Sequence, residues 1–210
     1  MVSAAGAIGG NGASGLFLNI GSRDQFAGGA DVIGNASVGN GEWAIARTNN
    51  GEIAVQRNAI ALDRYQAIDV NLDFETPNRS FDDYSSLPNK PVLFSAQYNP
   101  STGMTTGART GRDAESRRLA RRLYASRFLS YAGQASAEQW VGLHEFPGGN
   151  VSADFEVEIA GDLRGLYITA ATTRAHTVGF LKPPGDVSAE SHQVAVPSET
   201  SELSNVVVVQ

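Results

Sequence analysis

The chain contains no cysteine and few histidines. The absence of cysteine excludes both a disulfide framework and a thiolate metal centre. The three histidines, His144, His176 and His192, stand far apart, and none belongs to an H-x-H or H-E-x-x-H pattern. No serine stands in a G-x-S-x-G motif, and no paired acid and base can be named. The sequence therefore predicts no catalytic residue, no metal site, no cofactor and a protein that is not an enzyme.

Long hydrophobic runs are also missing. The longest apolar stretches have four or five residues, whereas a membrane-spanning helix needs about 20. The opening stretch MVSAAGAIGGNGASG has neither a positively charged region nor an apolar core of the secretory kind. We therefore expect neither a membrane span nor a secretory signal in the sequence as it stands.

Lysine is nearly absent, since Lys90 and Lys182 stand against 14 arginines, and the formal net charge is −6. This acidic balance argues against a general nucleic-acid coat. The charge is uneven, because residues 109–127 hold seven arginines against Asp113 and Glu115, a local +5 that leaves −11 for the rest of the chain. Such a basic surface on an acidic chain suits a protein partner best, above all a second copy, and suits nucleic acid or anionic lipid less well.

Glycine is plentiful, at 23 residues, and favours turns and β architecture over helix bundles. Alternating apolar residues flank Asn50-Gly51 and predict a β-hairpin over residues 42–57. Residues 67–75 alternate in the same way and predict a half-buried strand whose wet face carries Asp69, Asn71, Asp73 and Glu75. Further strands are predicted over residues 16–20, 92–98, 139–146, 151–159 and 165–181.

The sequence predicts one helix, at about residues 111–132. Asp113 and Glu115 suit its first turn, and Gly133 suits the position just after its end. Its apolar residues fall within about half of the helical wheel. We predict that arginines on the other half face a partner, in particular Arg117, Arg118, Arg121 and Arg122. The alternative is a solvated helix face whose arginines pair with acidic loops of the same chain.

The stretch GNGASG, at residues 10–15, has the G-x-G-x-x-G spacing of a dinucleotide-binding loop. That motif must follow a strand and open a helix, because the helix N-terminus holds the phosphate. Here the strand-like LFLNI follows instead. A flexible arm over residues 1–15, which only a neighbouring surface would order, explains the glycines better.

The chain ends in NVVVVQ, an apolar run that would promote aggregation if it were exposed. Val206, Val207, Val208 and Val209 must therefore pair inside the chain's own sheet or add a strand to a neighbour. The two tryptophans, Trp43 and Trp140, stand in strand patterns that predict burial.

These patterns predict a mainly β protein, an antiparallel β-sandwich or jelly-roll-like barrel with one inserted α-helix at about residues 111–132. No internal repeat and no βαβ rhythm is evident. We divide the chain into a flexible Gly/Ala/Ser arm at residues 1–15, a single β-rich domain at residues 16–182 and a polar tail at residues 183–210 that ends in an apolar strand.

This layout resembles that of virion structural proteins of the jelly-roll kind, such as small capsid proteins of icosahedral viruses. The arginine-rich, lysine-poor, acidic composition suggests a virus of a GC-rich or salt-loving prokaryote. The resemblance implies a capsid subunit, located in the virion, whose arm, tail and arginine helix contact copies of itself, other virion proteins, an internal membrane or the genome. It implies no small-molecule substrate. The alternatives are a phage tail-tube or decoration protein and a carbohydrate-binding β-sandwich module.

Overall fold

The computed structural model describes residues 10–19, 30–33, 36–48, 53–74, 77–78, 88–107, 118–146, 156–179 and 193–210. Every one of these ranges except 77–78 contains a strand, and none of the described residues lies in a helix. The prediction of a mainly β protein is therefore confirmed. The strands fall into two groups, because the first seven pair in parallel and the remaining eight pair in antiparallel ladders.

The first seven strands stack as the coils of a short parallel β-solenoid. They are β1 Leu16–Asn19, β2 Ala30–Ile33, β3 Ala36–Val38, β4 Ile45–Thr48, β5 Ile53–Gln56, β6 Ala59–Ala61 and β7 Ile68–Val70. Strand β4 lies between β1 and β7, while β5 pairs with β2 and β6 pairs with β3. Three parallel ladders that recur in the same chain order mean that each coil lies directly on the next.

The coils follow an internal repeat, so the expectation of no repeat is wrong. Ile45 pairs with Ile68, 23 positions further along, and the stretch GNG occurs at residues 10–12 and again at residues 39–41. The period is hidden because the first coil is longer than the second: Leu16 pairs with Ile45, 29 positions further along. A repeat whose first copy has a different length gives no fixed period in the sequence.

The hairpin predicted over residues 42–57 is wrong. Strands β4 and β5 belong to different ladders and pair with other coils, not with each other. The turn residues Asn50 and Gly51 lie outside the described residues. Alternation on both sides of a turn is as typical of a solenoid corner as of a hairpin, because both need two short strands and a bend.

A ladder of buried polar side chains crosses the coils at one corner of the solenoid. Asn40 donates to Asp63 Oδ1 from its side-chain Nδ2 at 2.7 Å and from its backbone amide at 2.8 Å. Its own Oδ1 accepts the backbone amide of Asn11 at 3.1 Å. The stretch at residues 10–15 therefore lies at the corner of the first coil, against the surface of the second coil. Residues 1–9 lie outside the described residues.

The remaining strands form two antiparallel sheets. The five-stranded sheet contains β10 Arg118–Ser126, β11 Gln139–Phe146, β13 Tyr167–Gly179, β14 Gln193–Thr200 and β15 Val207–Val208. Its order is β11-β10-β13-β14, and β15 also pairs with β13. The three-stranded sheet contains β8 Ala96–Asn99, β9 Met104–Gly107 and β12 Val157–Ala160, in the order β12-β9-β8. The strand predicted over residues 139–146 is confirmed at both ends.

The helix predicted at residues 111–132 is wrong wherever the structure describes it. Residues 118–126 are strand β10, which pairs with β11 on one edge and with β13 on the other, and residues 127–132 form loop and turn. Residues 111–117 lie outside the described residues. Leu123 and Tyr124 are both almost fully buried on opposite faces of the sheet. Pairing along both edges and burial on both faces outweigh the local helix propensity of this Arg-, Leu- and Ala-rich segment.

The five-stranded sheet carries a hydrophobic cluster on each face. On one face Tyr124 and Ala171 join the cluster that contains the solenoid isoleucines. On the other face Leu123 and Ala170 join a cluster with Val157 and other residues of the three-stranded sheet. The five-stranded sheet is thus the middle layer between the solenoid and the three-stranded sheet.

The loop between β10 and β11, at residues 130–137, closes one end of the solenoid. Ala137 and Ile60 exchange both backbone hydrogen bonds, at 2.8 and 3.1 Å, and the Tyr131 amide donates to the Asp63 carbonyl at 3.0 Å. Because this loop continues directly from β10, it also ties the last coil to the central sheet.

Substitution of Gly41 tests the stacking of the coils. A Cβ at Gly41 would lie 2.4 Å from the Gly12 carbonyl oxygen, a separation that Cβ atoms essentially never show, whereas a Cβ at Gly12 would meet nothing within 4 Å. We expect Gly41→Ala to lower the free energy of unfolding by about 1–3 kcal/mol because the coils must separate. We expect Gly12→Ala to change it by less than about 0.5 kcal/mol. Urea denaturation measures both, and equal effects would contradict the stacking.

Asp63→Asn tests the buried ladder. Burial raises the pKa of Asp63 above its ordinary value, although the hydrogen bonds from Asn40 lower it. A carboxyl group whose folded-state pKa is raised destabilises the fold increasingly as the pH rises through that pKa. We therefore expect Asp63→Asn to gain stability relative to the parent chain between about pH 4 and pH 7. Urea denaturation across this range measures the difference, and a difference independent of pH would refute the assignment.

Candidate functional site

The arginines that the sequence assigns to an outward helix face are not on a common exposed surface. Arg121 and Arg122 are neighbours in β10, and their side chains are 1% and 8% exposed on opposite faces of the sheet. Arg122 Nη2 donates to Gln56 Oε1 of the solenoid at 2.7 Å, and burial lowers the pKa of Arg122. Only the backbone of Arg118 is described, and Arg117 lies outside the described residues. The outward orientation is therefore wrong for Arg121 and Arg122.

The C-terminal valines pair within the chain. Val207 and Val208 form β15 on the edge of β13, and Val209 forms a parallel bridge with Ala96 of β8. Val209 is buried, Val206 packs against the solenoid cluster, and Val208 is 48% exposed. The sequence left two ways to pair this run, and the structure shows the one inside the chain's own sheet.

The two tryptophans differ in exposure. Trp43 is buried, and its ring centroid lies 5.3 Å from that of Tyr65 and 5.5 Å from that of Phe74. Trp140 is 41% exposed on β11, as is Leu143 on the same strand. The predicted burial is therefore confirmed for Trp43 and wrong for Trp140, because β11 is the outer strand of its sheet.

Three acidic side chains among the described residues are close enough to share a cation. They are Asp69, Asp73 and Glu202, and one carboxylate oxygen of each lies within 4.8 Å of one oxygen of each other member. Asp69 belongs to β7, Asp73 follows in the turn after that strand, and Glu202 stands between β14 and β15. The fold thus brings the last coil of the solenoid against the C-terminal segment.

The carboxylate cluster contradicts the solvent-exposed strand face that is predicted for residues 67–75. Asp69 is 0% exposed, while Leu72 and Phe74 of the same segment are 36% and 47% exposed. The alternation fails because β7 ends at Val70, and the chain then turns with positive φ angles at residues 71, 72 and 74. No pattern in the sequence singles out these carboxylates, since an acidic alternation is most often a solvated strand face.

Backbone amides hold two of the three carboxylates in place. The Phe74 amide donates to Asp69 Oδ2, and the Val70 amide donates to Glu202 Oε1, both at 3.0 Å. Lys90 Nζ lies 3.7 Å from Glu202 Oε2. Burial raises the pKa of Asp69, and the charge of Asp73 adds to that rise against the amides that lower it.

An open polar cleft of about 510 Å³ lies beside the three-stranded sheet. Its lining includes Gln97, Asn99 and Glu156, together with the ring of Tyr98. The guanidinium carbon of Arg164 lies 4.9 Å from the centre of that ring. Amide, carboxylate and aromatic groups in one open cleft suit a neutral polar ligand.

The first coil ends in a strand edge that no other described strand pairs. Among the described residues, β1 pairs with β4 on one side and has no strand partner on the other. Phe17, in the middle of β1, is 52% exposed. An unpaired strand edge with an exposed aromatic side chain is a surface that another chain can extend.

No protein-family model, no curated protein and no solved structure matches this chain. None of the described residues forms a helix with the length and apolar character that a membrane crossing requires.

Alanine substitutions of Arg122 and Arg127, which belong to the same predicted helix, are expected to differ in their effect on the free energy of unfolding. Arg122→Ala leaves Gln56 without its buried donor and opens a gap between solenoid and sheet, so we expect the free energy of unfolding to fall by about 2–4 kcal/mol. Arg127, whose side chain is 69% exposed and ion-paired with Glu138, should tolerate alanine with little change. Urea denaturation of both variants provides the comparison, and a greater loss for Arg127→Ala would contradict the buried strand.

Proposed function

We propose that this chain is a virion structural protein, a capsid subunit that assembles with copies of itself. The observation that carries the proposal is the edge of β1 that no other described strand pairs, with Phe17 exposed on the same strand. Native proteins protect such edges with charges, proline or a covering segment when they remain monomeric. An edge that is left apolar is suited to a partner strand.

The partner that fits this edge is the β1 of a second copy. Two identical edges can pair antiparallel about a two-fold axis, which is the commonest symmetry of soluble oligomers. A second contact region is provided by β11, the outer strand of the five-stranded sheet, where Trp140 and Leu143 are each 41% exposed. Two different contact regions on one subunit are enough to extend a dimer into a larger assembly.

For the antiparallel half of the chain we infer a β-sandwich in the general plan of jelly-roll proteins. The five-stranded and three-stranded sheets share one hydrophobic cluster, to which Leu123, Ile168 and Ile159 contribute. In this arrangement the central sheet provides the rigid body, and the solenoid edge and β11 provide the contacts. Assembly through these two contact regions requires neither an outward arginine helix nor a tail that reaches a neighbour.

Light scattering on the full chain at low and high salt tests the assembly. We expect a mass far above the 22.1 kDa of one chain. We expect Phe17→Lys to reduce this mass at least to that of a smaller oligomer, because a lysine on a strand edge blocks pairing. The matched control is Phe128→Lys, since Phe128 is 51% exposed but lies outside β1, and it should leave the assembly unchanged.

The form of the assembly separates the virion roles. Closed shells in electron micrographs support a capsid subunit, whereas stacked rings support the tail-tube alternative and contradict the capsid role. A 22.1 kDa monomer under every condition would refute self-assembly. The carbohydrate-binding alternative then becomes the better one, because exposed Trp140 and the cleft beside Tyr98 offer the aromatic surfaces that sugar binding needs.

A further inference from the structure

The stretch GNG occurs at corresponding corners of the first two coils, and it places an asparagine before a glycine in each. Asn11-Gly12 belongs to the first coil, and Asn40-Gly41 belongs to the second. An asparagine that precedes glycine loses its side-chain ammonia most readily, because glycine has no Cβ to keep its backbone nitrogen away from the side-chain carbonyl carbon. The sequence alone therefore gives the two asparagines the same reactivity.

The structure holds Asn40 in one position. The residue is 6% exposed, and its Nδ2 donates to Ser37 Oγ at 2.8 Å and to Asp63 Oδ1 at 2.7 Å. Its Oδ1 accepts the backbone amide of Asn11 at 3.1 Å. The Gly41 nitrogen, which would attack the side chain of Asn40, donates instead to the Asn11 carbonyl at 2.7 Å. The reaction at Asn40 must first break these hydrogen bonds, so the fold protects this residue.

Asn11 lacks this protection. Its side chain is exposed and forms no hydrogen bond within the part of the chain that the structure describes, and the same is true of the Gly12 amide. A Cβ at Gly12 would meet nothing within 4 Å, so the space around this residue is open. The side-chain carbonyl carbon of Asn11 and the nitrogen that attacks it can therefore approach each other without breaking a described hydrogen bond.

We propose that Asn11 is a site of spontaneous deamidation, whereas Asn40 is not. The Gly12 nitrogen loses its proton to the solvent and attacks Cγ of Asn11, an intramolecular step that needs only the correct approach of the two atoms. The new bond joins nitrogen and Cγ, the bond from Cγ to Nδ2 breaks, and Nδ2 takes up a proton and leaves as ammonia. Water then opens the resulting succinimide ring at either carbonyl carbon, and the products are aspartate and isoaspartate. The reaction consumes one water and releases one ammonia.

Conversion to isoaspartate weakens the contact between the first two coils. The main chain then runs through Cβ and Cγ of residue 11 and is one atom longer there. The carbonyl that accepts the Gly41 amide leaves the main chain, and the Asn11 amide that donates to Asn40 shifts relative to it. The modification therefore loosens the coil that carries β1. The reaction itself does not depend on the proposed assembly through β1.

Peptide mapping by mass spectrometry tests the proposal on the full chain after incubation at mildly alkaline pH. Trypsin cleaves after Arg23 and Arg47, so Asn11 and Asn40 fall in different peptides. In the folded chain we expect Asn11 to convert at least about tenfold faster than Asn40, because Asn40 reacts only when its corner opens. In the urea-unfolded chain we expect similar rates for the two, because both precede glycine.

Two variants complete the test. Gly12→Ala fits the fold without a clash, and its Cβ should slow the conversion of Asn11 by about tenfold or more, because it crowds the attacking nitrogen. Phe17→Lys blocks the proposed strand pairing; if Asn11 converts only in this variant, the site stands and assembly covers it. The proposal is overturned if Asn11 stays intact in both the parent and Phe17→Lys chains. It is equally overturned if folded Asn40 converts as fast as Asn11, or if Gly12→Ala leaves the rate unchanged.

Discussion

The burial of β10 on both faces is the constraint on which the rest of the structure depends. Tyr124 faces the solenoid and Leu123 faces the three-stranded sheet, so a single strand takes part in both hydrophobic clusters. Both edges of β10 are paired along most of its length, with β11 and β13. A strand in this position buries Arg121 and Arg122. Arg122 is tolerated because Gln56 accepts a hydrogen bond from its guanidinium group, which offsets part of the cost of desolvation.

The solenoid is held to this central layer at more than one place. Residues 130–137 continue from β10 and cover one end of the coils, where Ala137 and Ile60 exchange backbone hydrogen bonds. On another side Glu202 accepts the Val70 amide and stands beside Asp69. Each contact joins segments that are far apart in sequence. Parallel coils gain little from local contacts alone, so these long-range attachments are expected to matter for their stability.

The surfaces available for function differ from those that the arginine content suggests. Two arginines of the basic stretch at residues 109–127, Arg121 and Arg122, lie in an internal strand and not on an exposed helix face. The exposed apolar side chains of the described residues include Phe17 on β1 and Trp140 and Leu143 on β11. Strand edges combine unpaired backbone groups with such side chains, which is the chemistry of assembly by strand addition. Charge composition locates a binding surface only when the charged residues are at the surface.

The sequence by itself determined the β-rich class and the bounds of β11, because local alternation reports which side of a strand is apolar. Only the tertiary structure decided which strands pair, and in which direction. The residues on either side of Asn50 and Gly51 form two solenoid strands instead of a hairpin, and residues 118–126 form a central strand instead of a helix. In both cases partners distant in sequence supply most of the hydrogen bonds and buried area. The carboxylate cluster could not be predicted from the sequence for the same reason. Asp69 and Glu202 come together only when the solenoid packs against the C-terminal segment.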